Sequence, residues 1–251
     1  WMLMLMERIE MLETYVDNLS MKETVSVVND FIANKRPLHL MGVNADKINE
    51  LRRKPKLKKI INSCDIINAD GASVVWASKV LGKPLKERVA GIDLMCELIK
   101  LAEEKGYSVY FLGARQEVVQ DTVDIVKKQY PDLNIVGYRN GYFQKKDWTK
   151  IAEELRNLNP QIVFVGITSP LKEYLVDYFQ KQKLSCVFMG VGGSFDVVSG
   201  KIPRAPKWVQ DIGMEWLFRV IQEPGRLWKR YFCGNVEFIV SVYKEKYEKR
   251  K

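Results

Sequence analysis

Short apolar runs alternate with amphipathic stretches through the first two hundred residues, and this predicts an α/β fold built on a mostly parallel sheet. Two further observations agree. The helical stretches between the runs are ten to fifteen residues long, as the crossovers of βαβ units require, and several polar or glycine residues fall where the runs end. With 47% apolar and 28% charged residues in 251, the chain can build a sizeable core.

The elements follow in order. Arg8 to Tyr15 reads as a first strand. Ser20 and Glu23 have capping-box spacing, and apolar residues at 24, 25, 27, 28, 31 and 32 form a helical face that Pro37 ends. Leu38 to Val43 is a strand, Asn44 to Leu51 a helix, and Pro55 opens a short helix to Cys64. Asp65 to Ala69 is a buried strand that stops at Asp70-Gly71. A helix over 72–81, a loop at Gly82-Lys83-Pro84 and a helix over 92–105 come next, the last stopped by Gly106. Strands at 108–112, 134–137, 161–165 and 185–189 alternate with helices at 116–129, 147–157 and 170–182. The whole reads as a Rossmann-like core over residues 1–200. After Gly200 the strands cease, and short helices broken at Gly213, Pro224-Gly225 and Gly234 form a C-terminal helical appendage over residues 201–251.

Composition excludes several chemistries. Cys64, Cys96, Cys186 and Cys233 form no C-x-x-C pair and read as reduced thiols. The single histidine, His39, lies inside an apolar run and reads as a core strand residue, so zinc sites and histidine-dependent triads are disfavoured. No metal and no cofactor is expected. No window holds eighteen uninterrupted apolar residues, which speaks against a transmembrane helix, and the apolar start Trp1–Met6 is too short for a signal-peptide core. The net charge is +9, and residues 201–251, with twelve Lys or Arg against six Asp or Glu, supply +6 of it. Nucleic acid, anionic lipid and phosphorylated substrates all suit such a tail.

In an open parallel sheet, ligands collect outside the carboxyl ends of the strands. Asn44, Asp70-Gly71, Gly113-Ala114-Arg115, Gly166 and Gly190 to Gly193 all fall there. Asp70 is the sharpest candidate: its carboxylate could accept a proton as a general base, and it could equally cap the helix that follows. Gly190, Gly192 and Gly193 sit in a turn that suits a phosphate as well as a tight structural bend; it is neither a P-loop nor a full dinucleotide fingerprint. Arg88, in the loop before a helix, fits solvated surface, the commoner place for a loop arginine, and equally offers a planar donor fork to a diphosphate leaving group. In the tail, Met214, Leu217, Phe218 and Ile221 share one helical face, and Leu227, Trp228, Tyr231 and Phe232 another. Such stripes commonly pack in cores; interleaved with Arg219, Arg226, Lys229 and Arg230 they also fit an interfacial element on anionic lipid. No nucleic-acid-binding module signature appears.

Four stretches, in order, resemble the WecG/TagA/CpsF family of glycosyltransferases from about residue 8 to residue 240. They are Asn68-Ala69-Asp70-Gly71, Arg88-Val89-Ala90-Gly91-Ile92-Asp93, Gly190 to Asp196, and Gly213-x-Glu215-Trp216-Leu217-Phe218-Arg219 with Glu223-Pro224-x-Arg226-Leu227-x-x-Arg230-Tyr231. The resemblance implies a metal-independent inverting transferase, peripheral on the cytoplasmic face of the cell membrane, with a UDP-sugar donor and a polyprenyl-diphosphate-linked acceptor. The best known members move N-acetylmannosamine onto undecaprenyl-diphosphate-linked N-acetylglucosamine for wall teichoic acid. By the same resemblance Asp70 is the base and Arg88 lies near the donor diphosphate. Asn44, Asn68, Gly71, Lys172 and the glycines of the 190–193 turn line the substrate site, and Tyr142 and Asp196 line the nucleotide pocket. Arg219, Arg226 and Arg230 belong to an appendage that closes over the site and touches the membrane. Nucleic acid is not expected as a partner, and a homo-oligomer is left open. Three positions depart from the family: Gly42 where threonine is usual, Thr168 where glycine is usual, and Lys172 where glutamine is usual. They favour a member with another sugar specificity, or a homologue that binds a UDP-sugar without turnover, as the alternative.

Overall fold

A computed structural model of the chain describes residues 6–248, without the side chains of Arg226, Leu227, Lys229 and Arg230. Its centre is a six-stranded parallel sheet in the order β4-β3-β8-β7-β5-β6, made of Leu38–Val43 (β3), Ile66–Ala69 (β4), Ser108–Gly113 (β5), Asn134–Arg139 (β6), Ile162–Gly166 (β7) and Val187–Gly190 (β8). Every residue of β4, β5 and β7 is buried, as in a parallel sheet covered on both faces.

Helices cover both faces. On one, Val27, Val28 and Phe31 of Met21–Ala33 (α1) pack with Leu94, Leu98 and Ala102 of Gly91–Lys105 (α5) and Val119 of Gln116–Gln129 (α6). On the other, Ile48 of Ala45–Arg53 (α2), Leu57 of Pro55–Asn62 (α3), Val74 of Ala72–Val80 (α4), Leu155 of Trp148–Leu158 (α7) and Phe179 of Leu171–Lys181 (α8) form a second core. The local signals hold. Ser20 Oγ accepts from Glu23 N at 3.2 Å while Glu23 Oε2 accepts from Ser20 N at 2.8 Å, and Gly106 takes the left-handed conformation that ends α5. His39 is fully buried, its Nδ1 3.1 Å from Gln180 Oε1, and burial pushes its pKa down to about 4.

Two elements differ from expectation. The single N-terminal strand is a hairpin, Arg8–Met11 (β1) and Thr14–Asp17 (β2), turned at Leu12 and Glu13 with φ of 50° and 60°. That turn geometry usually announces itself with glycine or asparagine, and neither is present. The hairpin docks through Asp17, which accepts from Arg8 at 2.7 and 2.9 Å and from Ile67 N at 2.7 Å.

The second difference lies in the C-terminal helices. Ser194–Val198 (α9), Lys207–Asp211 (α10) and Glu215–Gln222 (α11) are short, but Pro224–Glu248 (α12) runs unbroken through Gly234. Glycine inside a helix costs only about 1 kcal/mol, and docking offsets it here. Asn49 Nδ2 donates to Gly234 O at 2.7 Å, Arg52 to Ser241 and Arg53 to Glu237, while Phe238 and Val242 are buried in the second core. Pro224, by contrast, does separate α11 from α12, at the first helical position where proline is tolerated.

Candidate active site

The carboxyl ends of the sheet form a rim, and its β4-β3-β8 side holds the charged groups. Register places Val43 beside Ala69, and the chain past both strands stays tied together: Asp70 N donates to Val43 O at 3.0 Å and Gly71 N to the same oxygen at 3.3 Å. The Asp70 side chain does not cap α4, whose cap residue is Gly71. Instead Asp70 Oδ1 accepts from Gly91 N, the first residue of α5, at 2.6 Å. One carboxylate oxygen is thus held by the backbone N–H that opens α5.

Gly42 explains how Asp70 fits. A β-carbon at residue 42 would lie 2.8 Å from Asp70 Cβ, so with Asp70 in this place position 42 admits no side chain. A threonine there would require Asp70 or its backbone to move.

Arg88 lies against the same carboxylate-bearing loop. Its Nε donates to Asp70 O at 2.7 Å and a terminal nitrogen donates to Glu215 Oε2 at 2.7 Å. Across the rim, Lys172 lies beside the glycine turn. A β-carbon on Gly190 would come within 2.5 Å of Met41 Sδ and 3.1 Å of Lys172 Cδ, so Gly190 is there to let the strand pack and the lysine pass. Burial pushes the Lys172 pKa down, opposed by Glu173 and by Asp70. Glu173 is fully buried and pairs with Lys47 at 2.8 Å and Lys172 at 3.7 Å. In this ionic cluster Lys172 and Glu173 belong to the stretch Pro170-Leu171-Lys172-Glu173, which aligns with a family motif, whereas Lys47 had no signal in the sequence.

The other predicted residues divide. Asn44 caps α2, its Oδ1 accepting from Lys47 N at 2.9 Å, and its Cβ is close to Gly71. Asn68 is buried, its Nδ2 donating to Thr24 Oγ1 at 3.1 Å, so its side chain faces α1 rather than the rim. Thr168 is exposed, and its carbonyl accepts from Lys172 N at 3.2 Å. Tyr142 belongs to the far end of the rim, past β6, which lies five strand spacings from β4 or roughly 24 Å. There Arg115, Gln116, Glu117, Asn140 and Tyr142 line an open concavity of about 590 Å³ at the ends of β5 and β6. Arg115 hydrogen-bonds Tyr142 and feels the charge of Asp196, and Asp196 in turn lies near Gly193. Gly192 has a left-handed φ of 53° and lies near Lys172 Nζ. Arg219 is half-buried on α11, one turn after Glu215 and on the same face. The side chains of Arg226 and Arg230 lie outside the described residues.

The rim therefore offers an anchored carboxylate and an arginine at one end and an aromatic–arginine concavity at the other, joined by the glycine turn. Comparison with known sequences gives the chemistry a family. Residues 9–251 match the model of the glycosyl transferase WecG/TagA/CpsF family. The chain belongs to that family of glycosyl transferases. Among its relatives is the N-acetylglucosaminyldiphosphoundecaprenol N-acetyl-beta-D-mannosaminyltransferase of Staphylococcus aureus MW2, 32% identical over 247 residues, covering 97% of this chain and 94% of the relative. Proteins of the same name from Bacillus spizizenii W23 and Bacillus subtilis 168 are 36% and 34% identical over 195 and 191 residues. Those matches cover 78% and 76% of this chain and 74% and 73% of the relatives. Glu215, quoted within the Gly213–Arg219 stretch, and Arg115, at the end of β5, were given no individual role by the sequence, and Arg204 had no signal there.

Proposed function

We propose that this glycosyl transferase moves N-acetylmannosamine from UDP to undecaprenyl-diphosphate-linked N-acetylglucosamine, forming the linkage unit of wall teichoic acid. The acceptor and transferred sugar are those in the names of the relatives. The observation that carries the reading is the Asp70 carboxylate anchored at the rim by Gly91 N–H with Arg88 against its loop. In the mechanism, Asp70 takes the proton of the acceptor hydroxyl through Oδ2 as that oxygen attacks the anomeric carbon from the face opposite UDP. The bond from the anomeric carbon to the UDP oxygen breaks with inversion, and its electron pair leaves with the diphosphate. Arg88 offsets the charge that develops there. The uridine occupies the Tyr142–Arg115 concavity, with Asp196 and the 190–193 turn between.

The enzyme works as a peripheral protein at the inner face of the cell membrane. No described helix is long and apolar enough to cross a bilayer. α12 nevertheless exposes Trp228, Phe232, Val236, Val240 and Tyr247 along one side, which supports an interfacial contact. A different donor sugar is the second reading, favoured by Lys172, whose ammonium lies beside Glu173 and the glycine turn, and by the side-chain-free position 42. The test is UDP release from a panel of UDP-sugars, with and without a short-chain polyprenyl-diphosphate N-acetylglucosamine. Acceptor-dependent release from UDP-N-acetylmannosamine is expected. Release from another donor alone would move the assignment to the second reading, and UDP binding without any turnover would mark a non-catalytic homologue.

A further inference from the structure

Glu215 opens α11, yet its side chain is buried in the molecule. A buried carboxylate is costly unless it is paired, and two arginines supply the pairing. Arg88 donates to Glu215 Oε2 at 2.7 Å. On the other side Arg204 Nε lies 3.9 Å from Glu215 Oε1, and Arg204 is itself held by two contacts to Asp93 at 2.7 and 2.8 Å. The contacts run Asp93, Arg204, Glu215, Arg88, Asp70. They join the first turn of α5, the segment before α10, the start of α11 and the loop that carries the carboxylate.

We infer that Glu215 is a positioning residue for Arg88, a role that rests on Arg88 being the group that stabilises the departing diphosphate. Arginine has a long, rotatable stem, and it contributes to a transition state only when its donors are already aimed. Two polar contacts aim this one, the Asp70 carbonyl and the Glu215 carboxylate. Removing the second leaves the guanidinium tethered through Nε alone. Glu215 touches no reacting atom and acts through Arg88. Because it is carried by α11, the orientation of a group in the sheet-rim site depends on the C-terminal helices being docked.

A double-mutant cycle on the full chain tests this, with kcat, the acceptor KM and thermal midpoint measured for wild type, Glu215→Gln, Arg88→Ala and the double variant. Glu215→Gln keeps the shape and removes the charge. It is expected to lower kcat on the order of tenfold to a hundredfold, since small misplacements of an aimed group cost that much, with the acceptor KM nearly unchanged. In that background Arg88→Ala is expected to cost no more than about threefold further, because coupled residues give non-additive losses. Glu215→Asp, which keeps the charge at shorter reach, should recover part of kcat, and it carries the same cycle if Glu215→Gln does not fold. Additive losses in the double variant, or a Glu215→Gln enzyme within about twofold of wild type while Arg88→Ala is crippled, would overturn the inference alone. An Arg88→Ala enzyme with wild-type turnover would instead remove the diphosphate role assigned to Arg88, and the inference with it.

Discussion

Strands β5 and β7 bury every side chain they carry, whereas α12 buries Phe238 and Val242 along one edge and leaves Trp228, Phe232 and Val240 more than half exposed. Both regions are rich in large apolar residues, but only in the sheet does the fold account for all of them. The helix is held to α2 and the β1–β2 hairpin by Phe238 and Val242 together with polar contacts: Asn49 to Gly234, Arg53 to Glu237, and Leu12 N to Glu245 Oε2 at 2.6 Å. Apolar surface that the fold leaves uncovered in a row points to a partner phase. The sheet covers all of its apolar side chains, whereas α12 covers Phe238 and leaves Trp228 and Phe232 uncovered.

The largest effect should separate the two regions by chemistry. Asp70→Asn is expected to lower turnover by about 10²–10⁴-fold, the usual contribution of a general base, with UDP affinity within a few-fold of wild type and α12 undisturbed. Turnover within about threefold of wild type would take the base role away from the sheet rim.

A second difference concerns pH and lies wholly in the sheet. His39 has a folded-state pKa of about 4, below the ordinary value of 6.5, because burial disfavours the imidazolium. Between these values the unfolded chain binds a proton that the folded one does not. Stability is then fully present above pH 6.5 and declines as pH falls toward 4, by up to about 3 kcal/mol. Denaturant unfolding of wild type and His39→Gln across that range should show the slope flattened in the variant; equal slopes would refute it.

The smallest effect tests the exposed side of the comparison. Trp228→Ser with Phe232→Ser should weaken binding to anionic vesicles by about tenfold, as removal of partly inserted aromatic area implies. The unfolding free energy and the turnover of a water-soluble acceptor should stay near wild type. A large loss of stability would show that these rings belong to the core after all.

Much of this was legible residue by residue. The capping box of α1, the glycine stop of α5, the buried runs of the sheet and the polar residues at strand ends are signals written within a few residues of where they act. Periodicity and capping chemistry are local, and local free energies survive into the fold when packing agrees with them. Where packing supplied the deciding term, the reading failed. The Leu12–Glu13 turn has no glycine, and its geometry follows from Asp17 docking onto Arg8 and β4. Gly234 breaks nothing because α12 rests on α2.

The sequence by itself determined the alternating α/β framework, the motifs that identify the family, and Asp70 as the residue at the head of the rim. Only the tertiary structure decided what Asp70 does with its two oxygens, that Asn68 turns away toward α1, and that Glu215 meets Arg88. The physical reason is separation along the chain. Arg88 and Glu215 are 127 residues apart, and Lys47 and Glu173 are 126 apart. Such pairs have no periodicity to reveal them, and they form only once the sheet has brought their elements to the same edge.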